Sequence, residues 1–242
     1  MKRILPFIII LVVLGVALSS AWYLTRSIPA AQNPPGNPVP ASPASSGSPG
    51  SPAQPQPPAP VTGVPGAEPA HTAGPANAPV KLEEFGDFEC PPCGMFHPIL
   101  KQMQEEFGDK LQVTFREFPL VPTHQHAVAA ASAAEAAGLQ GKFWEMHHMI
   151  YDHQNDWKKE FDVRPIFEGY AKQVGVDVDR YKRDVDSEAV AQRIMLDGNR
   201  GHSLGVKGTP TVFINGREVP FENLPAEKFR VVIQNELRNA GK

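Results

Sequence analysis

The nonapeptide Glu89-Cys-Pro-Pro-Cys-Gly-Met-Phe-His97 contains the only two cysteines among 242 residues, set two residues apart. A disulfide between Cys90 and Cys93 would close a very short loop, and the unfolded-chain entropy that a cross-link removes grows only with loop length. Stability is a poor reason to keep such a pair, so reactivity becomes the better one. A zinc site would need two further ligands. His97 extends the pattern to C-x2-C-x3-H, but no second cysteine pair completes a finger. Haem attachment requires histidine directly after the second cysteine, where Gly94 stands. A redox dithiol remains, and it calls for no cofactor.

The flanks place this dithiol. Val80-Lys-Leu-Glu-Glu-Phe85 alternates apolar and polar residues and predicts a strand. Beyond the cysteines, Phe96, Ile99, Leu100, Met103 and Phe107 recur at helical spacing until Gly108 ends the pattern. Cys90 thus falls where a strand hands over to a helix, with Pro91 and Pro92 in the first turn, where a missing N–H costs least. Free amides and the positive end of the helix dipole favour a thiolate, so its pKa is expected below the free value of about 8.5. Cys93, one turn in, is the resolving partner. Pro92 has no amide to offer the Cys90 sulfur, so activation should be weaker than with histidine at that position. Glu84 shares the strand face of Val80 and Leu82 and admits two readings. Buried, its raised pKa suits it to accept the Cys93 proton; at a frayed strand end, it simply reaches water.

The N-terminal third sets the compartment. Lys2 and Arg3 precede an uncharged, mostly apolar run from Ile4 to Leu24, long enough at 1.5 Å per residue to cross about 30 Å of hydrocarbon. Residues 1–26 read as a membrane anchor, with Trp22 and Tyr23 suited to the interface; a cleaved signal peptide with small residues at Ser19-Ser20-Ala21 is the alternative. Either reading leaves the remainder exported, where thiols tend to oxidise. Residues 27–79 hold sixteen of the 26 prolines and one charge, Glu68, a composition expected to stay disordered as a tether. Residues 80–242 are then a single domain of 163 residues. Its 20 basic and 25 acidic side chains give a net charge of −5, which argues against nucleic acid as a partner.

Within that domain, Leu111, Val113 and Phe115 alternate with polar residues as a second strand, and an alanine-rich helix runs to Ala137. Residues 141–204 read as helices throughout, a helical insertion in which Phe143, Trp144, Trp157 and Phe167 belong to the core. His147, His148 and His153 read there as structural or exposed residues. Thr211–Ile214 is a strand, Asn215-Gly216 a strong hairpin turn, and Phe229, Val232, Ile233 and Leu237 share one face of a final helix.

This order, with Glu84–Cys93 (EFGDFECPPC), Gly141–His147 (GKFWEMH) and Gly205–Gly216 (GVKGTPTVFING), resembles the DsbA-like thiol:disulfide oxidoreductases. The resemblance implies an α/β thioredoxin-like fold with an all-helical insertion, here preceded by an N-terminal transmembrane helix and a disordered Pro-rich linker. It implies a cis-proline at Pro210 beside the dithiol, and Thr209 offering backbone groups to an extended substrate, with Pro91 and Pro92 alongside. It places Glu84 where the family carries its buried acid. It also implies exported thiol-containing proteins as substrates. Recycling would fall to a membrane quinone-linked thiol oxidase, DsbB-like or VKOR-like. The second structural disulfide of some members is absent.

Overall fold

The alternation that begins at Val80 becomes β2 (Val80–Gly86), the middle strand of five in the computed structural model, which describes residues 62–241. Val80, Leu82 and Glu84 turn to one side and are buried, and the strand end, Phe85 and Gly86, is buried on both faces. A strand covered on both sides needs neighbours at both edges, and β2 has them. It pairs in parallel with β3 (Leu111–Glu117) and antiparallel with β4 (Thr211–Ile214). The parallel pair requires a crossover, supplied by α1 (Pro91–Phe107), which Gly108 ends at φ 47°. β4 turns back into β5 (Arg217–Val219) through Asn215 and Gly216, whose φ values of 49° and 76° are those of a type I′ turn.

One face of the sheet packs against α1 and the C-terminal helix α8 (Ala226–Ala240). Val80, Leu82, Met103, Val113, Val212, Phe229 and Ile233 form that core. Phe96 meets Phe229 edge to face at 5.2 Å, a pairing worth about 1 kcal/mol beyond the area it buries. On the other face, α7 (Glu188–Ser203) closes on Phe85 and Phe118 at Gly201, where a Cβ would come within 2.6 Å of the Phe118 ring. Between β3 and α7 lie α2 (Ala127–Gly138), α3 (Phe143–Asp152), the short α4 (Gln154–Trp157), α5 (Arg164–Val174) and α6 (Val178–Asp184). The helical layer therefore begins at Ala127 rather than at 141. The alanines of α2 are buried against Phe143, Met146, Ile150 and Phe167, because small side chains allow close helix approach.

The expected anchor at 1–26 and most of the linker lie outside the described residues. Among the described residues no helix is long and apolar enough to cross a membrane. The linker expectation needs correction at its C-terminal end, since residues 62–79 are not a free tether. β1 (His71–Ala73) adds to the sheet edge antiparallel to β3, giving the order β1-β3-β2-β4-β5. The segment before it is held by its backbone. Asp197 accepts from the Ala67 amide at 2.7 Å, Arg116 donates to the Ala67 carbonyl at 2.8 Å, and Arg193 and Arg200 donate to the carbonyls of Pro69 and Val64 at 3.0 Å. Arg116 is itself buried between Glu83 and Asp197. Gly66 passes so close that a Cβ would meet Arg116 and Asp197 at 2.6 Å. A proline-rich stretch with few apolar side chains is thus ordered by charged groups supplied from β3 and α7.

Candidate active site

β2 ends at Gly86, and the chain needs four residues to turn into α1. Asp87, fully buried, organises that turn: its carboxylate accepts from the amides of Glu89 and Leu120, each at 2.8 Å, and faces His124 Nδ1 at 2.7 Å. From α4, Gln154 Nε2 donates to the carbonyls of Phe88 at 2.7 Å and Cys90 at 2.9 Å, and Glu89 accepts the His126 amide at 2.6 Å. Cys90 is thereby fixed as the N-terminal cap residue of α1, extended at φ −66° and ψ 120°, with Pro91 and Pro92 following it. A Cβ at Gly94 would stand 2.5 Å from Gln154 Oε1, so the glycine makes room for the side chain that holds the loop.

Both cysteines are free thiols and both are buried. The Cys90 thiol lies 3.3 Å from the Thr209 carbonyl, with the Thr209–Pro210 peptide cis. The Cys90 pKa is lowered to about 6. The largest cause is the hydrogen bond from the Cys93 thiol; Thr209 and the Cys93 backbone amide also contribute, while burial and the Asp87 charge oppose them. The strand–helix junction predicts activation by the helix amides. Because Pro91 and Pro92 carry no N–H, the first amide available is that of Cys93, and the neighbouring thiol outweighs it. Burial pushes the Cys93 thiol well up, reinforced by the Cys90 and Glu84 charges. The two sulfurs are therefore unequal: one is ready to ionise, the other holds its proton.

Glu84 is 2 % exposed, which decides between its two readings. It sits mid-sheet, opposite Phe115 and Val212, and burial raises its pKa to about 8, with the Cys90 charge adding to the effect. Tyr151 on α3 keeps a buried hydroxyl without a hydrogen-bond partner, and both carboxylate oxygens of Glu117 at the end of β3 are likewise unpartnered. Burial raises both of their pKa values, and the charges of Cys93 and Glu84 add to that of Tyr151.

Beside the sulfurs runs an apolar groove of about 350 Å³, lined by Pro92, Met95, Ile99, Pro210, Phe221 and Leu224. Met95 is 65 % and Phe221 61 % exposed, an unusual display of large apolar side chains around one small cysteine site. Of the residues singled out from the sequence, Cys90, Cys93, Thr209, Pro210 and Pro92 meet at this spot, with Glu84 beneath them. Asp87 and Gln154 were not anticipated. Gln154 lies 64 positions from Cys90 in a helical stretch with no motif, so only the fold reveals it. Three histidines also converge nearby, which their spacing did not announce.

A family profile described as Thioredoxin matches residues 67–235. Among curated proteins, the Na(+)/H(+) antiporter NhaA 1 of Salinispora arenicola is 40% identical over 148 residues, which cover 61% of this chain and 22% of the antiporter. The protein of the same name from Mycolicibacterium vanbaalenii is 40% identical over 148 residues, 60% of this chain and 23% of its own. The chain thus spans less than a quarter of the length of these curated relatives. Among solved structures, oxidised BdbD from Bacillus subtilis superposes with a TM-score of 0.64 at 24% identity, covering 74% of this chain and 98% of that one. A thioredoxin-like oxidoreductase from Silicibacter pomeroyi gives 0.59 at 22% identity, covering 71% and 94%. The thiol-disulfide exchange protein alpha-DsbA2 of Wolbachia pipientis gives 0.55 at 23%, covering 67% and 87%.

Proposed function

This chain belongs to the thioredoxin family, in its DsbA-like form with a helical insertion, and from that premise we propose that it is a thiol:disulfide oxidoreductase that donates disulfides to exported proteins. The observation that carries the reading is the inequality of the two thiols. Cys90, with a pKa of about 6, is a good leaving thiolate beside an apolar groove, and Cys93 is kept protonated beneath it.

With the pair oxidised, a substrate thiolate attacks Cys90 Sγ, and the Cys90–Cys93 bond breaks. Cys93 leaves and takes a proton, for which Glu84, protonated up to about pH 8, is a buried source. A second substrate thiolate then attacks the substrate sulfur of the mixed disulfide and expels Cys90 as its thiolate. Two electrons have passed from substrate to protein, and the substrate holds the disulfide. Cys90 is the exchanging sulfur, Cys93 the resolving one, and Glu84 the proton carrier. Pro91, Pro92, Thr209 and Pro210 border the extended segment of the substrate. Returning the pair to the disulfide requires a membrane quinone-linked thiol oxidase, DsbB-like or VKOR-like.

Residues 1–26 serve, on this reading, as a single-pass anchor with its N-terminus in the cytoplasm and the catalytic domain on the extracytoplasmic side; their uncharged run from Ile4 to Leu24 after Lys2 and Arg3 supports it. The part of 27–79 that precedes the backbone-held segment is the tether. Ion antiport is not carried over from the curated relatives, because the matched span is less than a quarter of their length.

A second reading, as a reductase or isomerase, has one observation in its favour. Pro92 removes a donor from the sulfur, and the Asp87 charge works against the thiolate, so both pull towards a milder oxidant. Equilibration of the full chain with glutathione separates the two. A potential near about −120 mV supports disulfide donation, and one near about −270 mV supports reduction. A non-redox peptide-binding module is the remaining possibility, and a Cys90→Ser protein that retained full cellular activity would establish it.

A further inference from the structure

His97 stands one helical turn beyond Cys93 on α1, and His147 and His148 reach it from α3. One ring nitrogen from each lies within 4.8 Å of the others, the only such cluster among the described residues. His147 Nδ1 and His148 Nδ1 are 3.4 Å apart. Two imidazole nitrogens bound to one tetrahedral zinc at 2.0–2.1 Å stand about 3.3–3.4 Å from each other. His97 is 4 % and His147 1 % exposed; His97 Nε2 faces the Asp152 carboxylate, and His147 Nε2 is buried without a hydrogen-bond partner.

We propose that His97, His147 and His148 form a binding site for a divalent transition-metal ion of the zinc class, separate from the dithiol. Imidazole suits zinc, copper and nickel, and three protein nitrogens leave a fourth position open. Asp152 fits that position or the layer behind it: its Oδ1 is 3.2 Å from His97 Nε2, and its side chain is half exposed, which provides the entry path. The charges facing the site are mixed. Lys101 opposes a cation, whereas Asp152 and Glu145 favour one. Stacking of His97 on Tyr151 and the edge contact of His147 with Phe115 fix two of the rings from behind.

Zinc chloride titrated into the full chain in competition with a chromophoric chelator tests this. The protein carries Cys90→Ser and Cys93→Ser, so that thiolates cannot supply the binding. One equivalent bound, and an affinity reduced by more than about 100-fold in a further His148→Ala variant, exceeds the 10–100-fold cost of losing an outer partner and supports the site. No stoichiometric binding, or binding unchanged by His148→Ala, overturns it. If His148→Ala does not fold, zinc-edge X-ray absorption of the double-serine protein decides. A first shell of three imidazole nitrogens supports the site, and a shell of oxygens overturns it.

Discussion

Replacing Glu84 by glutamine removes an ionisation while keeping the shape of the side chain, and its effect on stability should depend on pH in a defined way. The carboxyl ionises at about 8 in the folded protein against an ordinary value of 4.5. Below pH 4.5 it is protonated in both states and contributes nothing. Between 4.5 and 8 only the unfolded chain gives up the proton, so the wild type loses stability as pH rises, at about 1.4 kcal/mol per pH unit. By pH 7 the accumulated loss is ~3 kcal/mol, and above pH 8 it levels off near ~5 kcal/mol. Any cost of seating the glutamine amide is the same at every pH and does not alter the slope. Urea unfolding of the reduced wild type and of Glu84→Gln, at intervals from pH 5 to 8.5, should therefore show the variant gaining on the wild type up to about pH 8 and holding that lead above it. In the oxidised protein the Cys90 charge is gone while burial remains, so the window should close at lower pH. A difference between the two proteins that stayed flat across this range would refute the buried, protonated carboxyl and its role as a proton carrier.

Iodoacetamide modification of the reduced protein should follow a single ionisation near pH 6 at Cys90, with Cys93 unmodified, and at pH 7 the thiolate fraction should exceed that of a free thiol by about 30-fold. Gly94→Ala forces its Cβ against Gln154, and thermal denaturation should show a loss of about 1–3 kcal/mol together with an altered Cys90 alkylation rate. Arg116→Met takes the guanidinium away from the buried Asp197, while Glu83 keeps its pairing with Arg200; urea unfolding should lose about 3–5 kcal/mol, and limited proteolysis should then cut between residues 62 and 70.

The elements around the dithiol were legible because their signals are local. Alternation from Val80, helical spacing from Phe96 to Phe107, and Asn215-Gly216 each specify an element without reference to the rest of the chain. Glu84 stayed ambiguous because its exposure depends on β4, whose Val212 covers it from residues far away in sequence. The segment ahead of Val80 was misread for a related reason. Composition predicts whether a stretch can bury apolar surface, and this one is held instead by Arg116, Asp197, Arg193 and Arg200 bonding to its backbone. Gln154 and the three-histidine cluster depend on how α1, α3 and α4 converge, which no spacing within one helix encodes.

The claim on which everything else rests is that Cys90 exchanges disulfides with other proteins. Expressing the full chain as Cys93→Ala removes the resolving thiol and leaves Cys90 to form mixed disulfides that cannot be discharged from within. Acid quenching followed by non-reducing electrophoresis and mass spectrometry should reveal exported cysteine-containing proteins joined through Cys90 and released by reductant. Recovery of the variant only as a free thiol, with no protein attached, would contradict the account.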